Sequence, residues 1–506
     1  MSQPVRSAVL RRWLTPSLVD VFFCALLAAT LARPGGLQGL LMDGDTGWHI
    51  RTGQVVLAAG HVPWTDPFSF SRPGEAWYAW EWLSDVVFAG VWRLGGLAAV
   101  AALSGVVLCL AGATLFAWLL GRGAGLWIAL GVTLAAASAS SVHSLARPHV
   151  FSILFYTASL WLLDKDRRSA GPRLWLLAPL CAVWANLHAG FVALLATLVL
   201  CAVVERSGRY ALAAGVCLAA SCVNPYGWRL HAHIFEYLNS SWILQNVQEF
   251  QSPNIRSENM LVFAMMLLAA VALVSRAGRF EGALVLVWGF EAMRSARHVP
   301  FFAVAAAPVI AAECARRWRV LAEVAPSRSP VRLFWEAAQE LGHYRPPTLL
   351  LPTVAVAVIS GAAQANAALD FPEARFPVRA VERNAAWLAP AGAMPRVLTS
   401  DQWADYLIYC VYPRQRVFFD GRSDFYGPSL GAEYRELLGA GSRWRDALAR
   451  YGFERALLPR DWPLSTMLDR EPGWRRVYED PVAVLFVRAE DERSSSTEAM
   501  GWRTAP

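Results

Sequence analysis

Long apolar segments recur between residues 17 and 365, and they constrain the fold more than any other feature of the sequence. A helix needs about 20 mostly apolar residues to cross the hydrocarbon core of a bilayer. The composition agrees, since 56% of the residues are hydrophobic and only 17% are charged. The sequence therefore predicts a mainly α protein, a polytopic membrane helix bundle of about eleven spans, at 17–34, 97–120, 124–142, 149–164, 173–187, 189–205, 209–223, 259–275, 280–293, 298–314 and 347–365.

The number of spans in the segment 173–205 determines on which side of the membrane all later loops lie. This segment is too long for one ordinary span, and Asn186 and His188 interrupt it, which predicts two short helices joined by a tight polar turn. If 173–205 forms two helices, the loops rich in Arg and Lys all lie on the same side of the membrane, as the positive-inside rule requires. The N-terminus is then cytoplasmic, together with Arg11, Arg12, Arg122, Lys165, Arg167, Arg168, Arg173, Arg206, Arg209, Arg276, Arg279 and the segment 315–345.

The same alternation places most of the unusual polar residues on the outer side. These are the loop 35–96, the helix ends near residues 143–149, 186–188 and 294–298, the loop 224–254 and the chain from residue 366 onward. Ionisable groups at helix ends in membrane proteins are functional hypotheses by default. The net charge of +7 has a simpler explanation in cytoplasmic flanks, and no basic stripe with interleaved aromatic residues indicates nucleic-acid binding.

The C-terminal region differs in character from the apolar segments. Short strand-like runs at 396–399, 416–419, 455–458 and 483–487 alternate with helical patterns at 401–411, 429–440 and 444–451. This pattern predicts a small extracytoplasmic α/β domain. The predicted domains are therefore 1–365 for the membrane bundle, with its first outer loop at 35–96, then 366–490 for the α/β domain, and 491–506 for a disordered tail.

The first outer loop carries the residues best suited to chemistry. Asp43 and Asp45 stand two residues apart, so one carboxylate could accept a proton while the other binds a metal or stabilises the pair. An Asp-Gly-Asp turn is the structural alternative. His49 and Arg51 follow on a segment that should turn helical after Asp45. Further along, Asp66 belongs to a proline-rich turn and Glu81 opens the next helix.

Basic residues at the outer helix ends form a second candidate group. Each alone suits a lipid-headgroup anchor, but together they could bind a lipid-linked phosphate or pyrophosphate. They are Arg147, His149, His188, Arg294, Arg297 and His298. In the C-terminal region, Asp420, Arg422 and Asp424 either hold a turn by pairing or help to bind an acceptor.

Several classes of chemistry lack their motifs. The sequence contains no P-loop, no GxGxxG before a helix, no HExxH and no CxxC. ATP-driven transport and zinc hydrolysis therefore have no support.

The motifs of the first outer loop and of the C-terminal region resemble those of a known superfamily. The chain resembles the GT-C superfamily of polyprenyl-phosphate-dependent glycosyltransferases, and within it a bacterial branch related to protein mannosyltransferases and aminoarabinose transferases. The matching residues are Asp43, Asp45, Trp48, His49, Pro63, Asp66, Pro67, Phe68, Ser69, Glu81, Trp82, Leu83, Phe418, Asp420, Gly421, Arg422, Asp424, Tyr426 and Gly427. Family members commonly have an adjacent acidic pair, whereas Gly44 separates the two carboxylates here.

The resemblance implies a function. Asp45, with Asp43 as the alternative, would be the catalytic base or a ligand of a divalent metal such as Mg²⁺ or Mn²⁺. The outer Arg and His residues would contact the phosphate of a polyprenyl-linked sugar. The protein would be a multi-pass hexosyltransferase of the bacterial inner membrane, acting on its periplasmic side. Two alternatives remain: a transporter or flippase for lipid-linked saccharides, which would place ionisable residues at mid-membrane depth, and a non-catalytic envelope assembly protein.

Overall fold

A computed structural model of the chain describes residues 15–342, 344–365, 369–390, 392 and 394–489. The predicted disordered tail at 491–506 lies outside them. The chain divides into two compact units, which we call the helical unit (Met1–Leu40 and Val91–Ala367) and the mixed unit (Leu41–Gly90 and Ala368–Pro506). This division differs from the predicted domains, because most of the first outer loop groups with the C-terminal residues.

The helical unit follows the apolar pattern of the sequence closely. Its helices are Leu18–Ala32, the second part of Trp82–Gly121, Leu126–Ala139, His149–Arg168, Leu177–Leu187, Phe191–Val204, Gly208–Ser221, Arg229–Asn239, Ser241–Asn246, Glu258–Leu273, Arg279–Arg294, Val299–Val324, Pro330–Leu341 and Leu350–Ala365. Short 3-10 turns occur at Gln38–Leu40, Ser140–His143, Pro172–Leu176, Gln248–Phe250, Val274–Arg276 and Ala296–His298.

Several of these helices are long and apolar enough to cross a membrane. Among the described residues, four segments meet this criterion by length and composition: Trp82–Gly121, Leu126–His143, Asn259–Arg276 and Ala296–Val324. Leu18–Ala32, Phe191–Val204 and Leu350–Gln364 are shorter apolar helices. The chain is thus a mainly α, multi-pass membrane protein, while the total of eleven spans stays a prediction.

The break that was predicted within 173–205 is present. One helix ends at Leu187, the next begins at Phe191, and His188 between them is extended (φ −169°, ψ 148°). The side-chain amide of Asn186 donates to the carbonyls of Ala182 and Val223 at 2.8 and 2.7 Å. Hydrogen bonds to its own helix and to Val223 therefore hold the polar residue at this turn.

Another break lies inside Trp82–Gly121. Gly95 (φ −168°) and Gly96 (φ 60°, ψ −154°) are not helical, and the conformation of Gly96 is one that side chains with a Cβ rarely adopt. The helix that Glu81 was expected to open is the part before this break.

The mixed unit combines four strands with short helices. The strands, numbered in chain order, are β1 (Val397–Leu398), β2 (Arg455–Pro459), β3 (Trp474–Glu479) and β4 (Ala483–Arg488). The sheet order is β1-β2-β4-β3, with β1 parallel to β2 and the other pairs antiparallel. The helices are Asp45–Ala59, the start of Trp82–Gly121, Val378–Arg383, Ala385–Leu388, Asp401–Val411, Ser423–Leu438, Trp444–Tyr451 and Pro463–Leu468.

Two strand predictions need correction. Residues 416–419 do not form a strand, because Val417 makes only isolated bridges to Ser69 and Val397, and its neighbours enter a turn. Conversely, the strand Trp474–Glu479 was not predicted. Its charged residues are largely exposed and it lies at the sheet edge, so it lacks the apolar run that marked the buried strands β2 and β4.

Candidate active site

Asp43 and Asp45 have different structural roles. The helix Asp45–Ala59 begins at Asp45, and the backbone N–H of Asp45 donates to Oδ1 of Asp43 at 3.0 Å. Asp43 therefore closes the turn, as the structural alternative expected. Asp45 is only 5% exposed, and the positive end of the helix dipole favours its negative charge.

Two glycines allow this helix to approach the helix Asp401–Val411 closely. A Cβ at Gly44 would overlap the carbonyl oxygen of Gln402, and one at Gly47 would stand 2.7 Å from the carbonyl oxygen of Asp405. The N–H of Gly44 also donates to Oε1 of Gln402 at 2.8 Å. The spacing Gly44-x-x-Gly47 thus brings Asp45 to the helix that carries Asp405.

Asp405, on the helix Asp401–Val411, is an acidic neighbour of Asp45 that was not among the predicted site residues. It is completely buried, and its Oδ1 accepts the N–H of Gly421 at 3.0 Å. Its Oδ2 has no hydrogen-bond partner among the described residues. Oδ2 of Asp405 and Oδ1 of Asp45 lie against the same face of Gly421, where a Cβ would come within 3.0 Å of both.

Burial, followed by the charges of Asp45 and Asp420, raises the pKa of Asp405 well above its usual value. The protonated form is therefore favoured, and a protonated carboxyl can donate a hydrogen bond to a neighbouring carboxylate. Burial and the charge of Asp43 likewise raise the pKa of Asp401. We call the five carboxylates Asp43, Asp45, Asp401, Asp405 and Asp420 the acidic cluster.

Asp420 and Arg422 form a buried ion network with Asp66. Arg422 lies 2.8 Å from Asp66 and 2.6 Å from Asp420, and all three side chains are at most 1% exposed. The guanidinium also stacks on Trp77, with its carbon 4.7 Å from the ring centroid. Asp66 accepts the N–H groups of Phe68 and Ser69. Arg422 thus joins the proline-rich turn to the C-terminal region, whereas the pairing alternative concerned only the turn that contains Asp420, Arg422 and Asp424.

The remaining loop candidates also make contacts inside the mixed unit. The ring of His49 is 1% exposed, with Nδ1 2.6 Å from Asp85 and Nε2 3.7 Å from Glu81. Arg51 does not pair with Asp43 or Asp45. Its Nε donates instead to the carbonyl of Tyr409 at 2.7 Å, near the end of the helix Asp401–Val411. Asp424 is half-buried in the first turn of the helix Ser423–Leu438.

The helical unit holds a separate group, centred on Glu249. Arg297 donates to Oε1 of Glu249 at 2.7 Å, and Arg147 lies 3.9 Å from Oε2. Burial alone would raise the pKa of Glu249, but the charges of Arg297 and Arg147 lower it. We call His143, Arg147, His149, His188, Glu249 and Arg297 the basic cluster.

The histidines of this cluster are oriented by acceptors. Nε2 of His149 donates to the carbonyl of His143 at 2.6 Å, and Nε2 of His143 donates to that of Ala296 at 3.2 Å. A carbonyl only accepts, so both nitrogens carry a proton. His188 is arranged differently, because its Nδ1 accepts the N–H of Gly190 at 2.9 Å and contacts Ser152 Oγ at 2.7 Å. In its neutral form His188 therefore carries its proton on Nε2.

Two predicted phosphate contacts are engaged elsewhere. Arg294 is 58% exposed and lies 3.3 Å from Glu291. Nδ1 of His298 contacts the carbonyl of Glu291 at 3.3 Å. Of the six residues predicted to bind phosphate, the structure places Arg147, His149, His188 and Arg297 in the basic cluster.

Some participants were missed or given little weight. Asp401 and Asp405 are four residues apart on one helix, a spacing that puts both on one face and could have indicated a shared site. Nothing local in the sequence indicated that this face meets Asp45. Glu249 was only a weaker candidate in the outer loop 224–254.

A divalent metal does not fit the acidic cluster well. Among the described residues, no group of three or more His, Cys, Asp or Glu side chains is arranged to hold a metal ion. Asp43 already uses one oxygen for the N–H of Asp45. The chemistry below is therefore assigned to the side chains alone.

Comparison with known proteins gives matches only at the level of structure. No protein-family model matches the sequence, and none of the curated proteins searched matches it. The chain is similar to a crystal structure of ArnT from Cupriavidus metallidurans bound to undecaprenyl phosphate, with a TM-score of 0.46 and 15% identity over 92% of this chain and 97% of that one. It is also similar to ArnT from the same organism in the apo state, with a TM-score of 0.44 and 14% identity over 95% and 96% of the chains. Similarity at this level is not by itself a sign of shared activity.

Proposed function

We propose that this chain is a membrane glycosyltransferase that moves a sugar from a polyprenyl-phosphate donor to an acceptor hydroxyl on the periplasmic side of the bacterial inner membrane. The observation that carries the proposal is the buried carboxylate of Asp45 at a helix N-terminus, beside the buried Asp405. The membrane-spanning helices and the GT-C-like loop motifs around Asp43 and Asp45 are consistent with it.

In the proposed reaction, the acceptor oxygen forms a bond to the anomeric carbon of the sugar. The bond between that carbon and the donor phosphate oxygen breaks, and its electron pair stays on the phosphate. The hydroxyl proton passes to the carboxylate of Asp45, which acts as general base. A protonated Asp405 would hold Asp45 in position by donating to it.

The basic cluster has the residue types suited to the departing phosphate. Guanidinium groups bind phosphate through paired N–H donors, and fixed positive charge stabilises the negative charge that develops as the bond breaks. Arg147 and Arg297 would supply these donors, and Nε2 of His188 a further one. These side chains do not identify the sugar or the acceptor.

Separate Asp45→Asn and Asp43→Asn variants test this proposal. We expect Asp45→Asn to lower transfer from a lipid-linked sugar by at least about 10²-fold, the typical contribution of a general base. Asp43→Asn should lower it less, because an amide oxygen can still accept the N–H of Asp45. Both variants should keep the thermal unfolding midpoint of the parent protein within a few degrees.

Full transfer activity in Asp45→Asn would overturn the assignment of the base. Uptake of a lipid-linked saccharide into vesicles without any glycosidic product would overturn the enzyme proposal and favour a transporter.

A further inference from the structure

Glu249 lies where an anionic ligand of the two arginines would bind. Its two carboxylate oxygens meet different guanidinium groups, Oε1 that of Arg297 at 2.7 Å and Oε2 that of Arg147 at 3.9 Å. A carboxylate that meets two guanidinium groups makes the contacts that a phosphate group would make. The ion pairs are also accessible to water, since the side chains of Glu249 and Arg147 are each 19% exposed and that of Arg297 is 22% exposed.

Arg297 is held in place by groups other than the carboxylate. Its guanidinium carbon lies 4.6 Å from the ring centroid of Phe250, and its Nη1 donates to the hydroxyl of Tyr237 at 3.2 Å. The neighbouring backbone is fixed as well, because the N–H of Ala296 donates to the carbonyl of Gln251 at 2.9 Å. Loss of the Glu249 charge would therefore leave the guanidinium in position.

The backbone at Glu249 is anchored separately from its side chain. Its carbonyl accepts the hydroxyl of Ser295 at 3.0 Å, and the residue lies in the 3-10 turn Gln248–Phe250. A rotamer change could thus move the carboxylate away from the arginines without unfolding the turn. The turn also precedes an extended residue, Gln251 (φ −76°, ψ 158°).

We infer that Glu249 is an internal anion that occupies the phosphate site formed by Arg147 and Arg297, and that a lipid-linked phosphate binds by displacing it. This inference rests on the proposed function for the identity of the ligand. It adds that the carboxylate competes with that ligand, so that the charge of Arg147 and Arg297 is partly neutralised while the site is empty of substrate. Two partly buried guanidinium groups close together would be costly to maintain in the absence of an anion.

The Glu249→Gln variant tests the inference by binding rather than by activity. The full-length protein in detergent micelles is titrated with a short-chain isoprenyl phosphate, with the matching isoprenyl alcohol and with inorganic phosphate. Glutamine keeps the shape and a hydrogen-bond acceptor but removes the competing charge. We expect the isoprenyl phosphate to bind at least tenfold more tightly to Glu249→Gln than to the parent protein. The alcohol should bind equally to both.

Two further variants serve as controls. Glu205→Gln is a matched substitution, since Glu205 forms a single 2.6 Å ion pair with Arg167 elsewhere in the helical unit, and it should leave phosphate binding unchanged. Adding Arg297→Gln to Glu249→Gln should abolish the gain, because the proposed ligand of the phosphate is then removed.

Weaker or unchanged binding of isoprenyl phosphate to Glu249→Gln would overturn the inference, because the carboxylate would then position the arginines and not compete for them. A gain confined to inorganic phosphate would overturn the lipid as the ligand. The outcome is separable from the proposed function: tighter phosphate binding without any sugar transfer would support this site and contradict the glycosyltransferase.

Discussion

Replacement of Asp405 by asparagine should remove a specific dependence of stability on pH. Asp405 is completely buried beside Asp45, and burial raises the pKa of its carboxyl well above the ordinary value, with Asp45 and Asp420 as further causes. Because the pKa of Asp405 is raised in the folded state, this carboxyl makes its full contribution to the free energy of unfolding at pH values below the pKa of the unfolded chain, about 3.9. It is lost as pH rises toward the folded pKa.

The magnitude follows from proton linkage. Between the unfolded and folded pKa values of one carboxyl, the free energy of unfolding falls by about 1.4 kcal/mol for each pH unit. Asparagine is nearly isosteric with a protonated aspartic acid and stays neutral at every pH. The Asp405→Asn variant should therefore match the parent protein near pH 4 and become more stable than it as pH rises.

Thermal unfolding in detergent between pH 4 and pH 8 measures this difference. Asp461→Asn is the control, since Asp461 is exposed in the mixed unit and should change the midpoint equally at every pH. A constant difference between Asp405→Asn and the parent protein across the range would refute the protonated carboxyl. If transfer activity is measurable, Asp405→Asn should retain it where Asp45→Asn does not, as expected of a positioning residue.

Other variants test the packing and the chemistry of the mixed unit. Arg422→Met should destabilise the protein by about 3–5 kcal/mol, because it leaves Asp66 and Asp420 buried without their cation; a loss under about 1 kcal/mol in chemical unfolding would contradict the network. Gly47→Ala should lower the free energy of unfolding by about 1–3 kcal/mol, because its Cβ would stand 2.8 Å from Cβ of Tyr409. Gly60 has open space around it but a positive φ, so Gly60→Ala should lower it by about 1 kcal/mol through backbone strain alone. Addition of EDTA should leave sugar transfer unchanged, and a loss that Mg²⁺ or Mn²⁺ restores would contradict a reaction carried by side chains.

The sequence predicted the helices well because apolar length is a local property. The two short helices on either side of His188 and the helices Asp401–Val411 and Trp444–Tyr451 lie where the pattern placed them. The edge strand Trp474–Glu479 escaped notice because its stability comes from pairing with β4, which a pattern of its own residues does not show. The predicted strand at 416–419 failed for the related reason that Val417 meets two different partners.

The candidate site was predictable only in part. Asp45 was selected for its place in the loop, and the structure buries it at a helix N-terminus. Its neighbour Asp405 is 360 positions later in the chain, and the contact depends on the absence of side chains at Gly44 and Gly47. Glycine spacing of this kind indicates a close approach without naming the partner. The contact of Arg51 was not predictable either, because its long side chain donates to the backbone carbonyl of Tyr409 and no sequence pattern identifies such an acceptor.

The acidic cluster and the basic cluster differ in how far their charges are compensated by groups of opposite charge. In the acidic cluster, Asp420 has a cation in Arg422, whereas Asp405 has its Oδ2 without a hydrogen-bond partner in the described part of the chain. Buried carboxylates without a cation reduce their cost by taking up protons, which suits a place where a proton must be received. In the basic cluster, two guanidinium groups share one carboxylate, so the excess charge is positive and suits a more highly charged anion than Glu249. A hydroxyl proton and a phosphate dianion are the two charges that a sugar transfer from a lipid phosphate must accommodate.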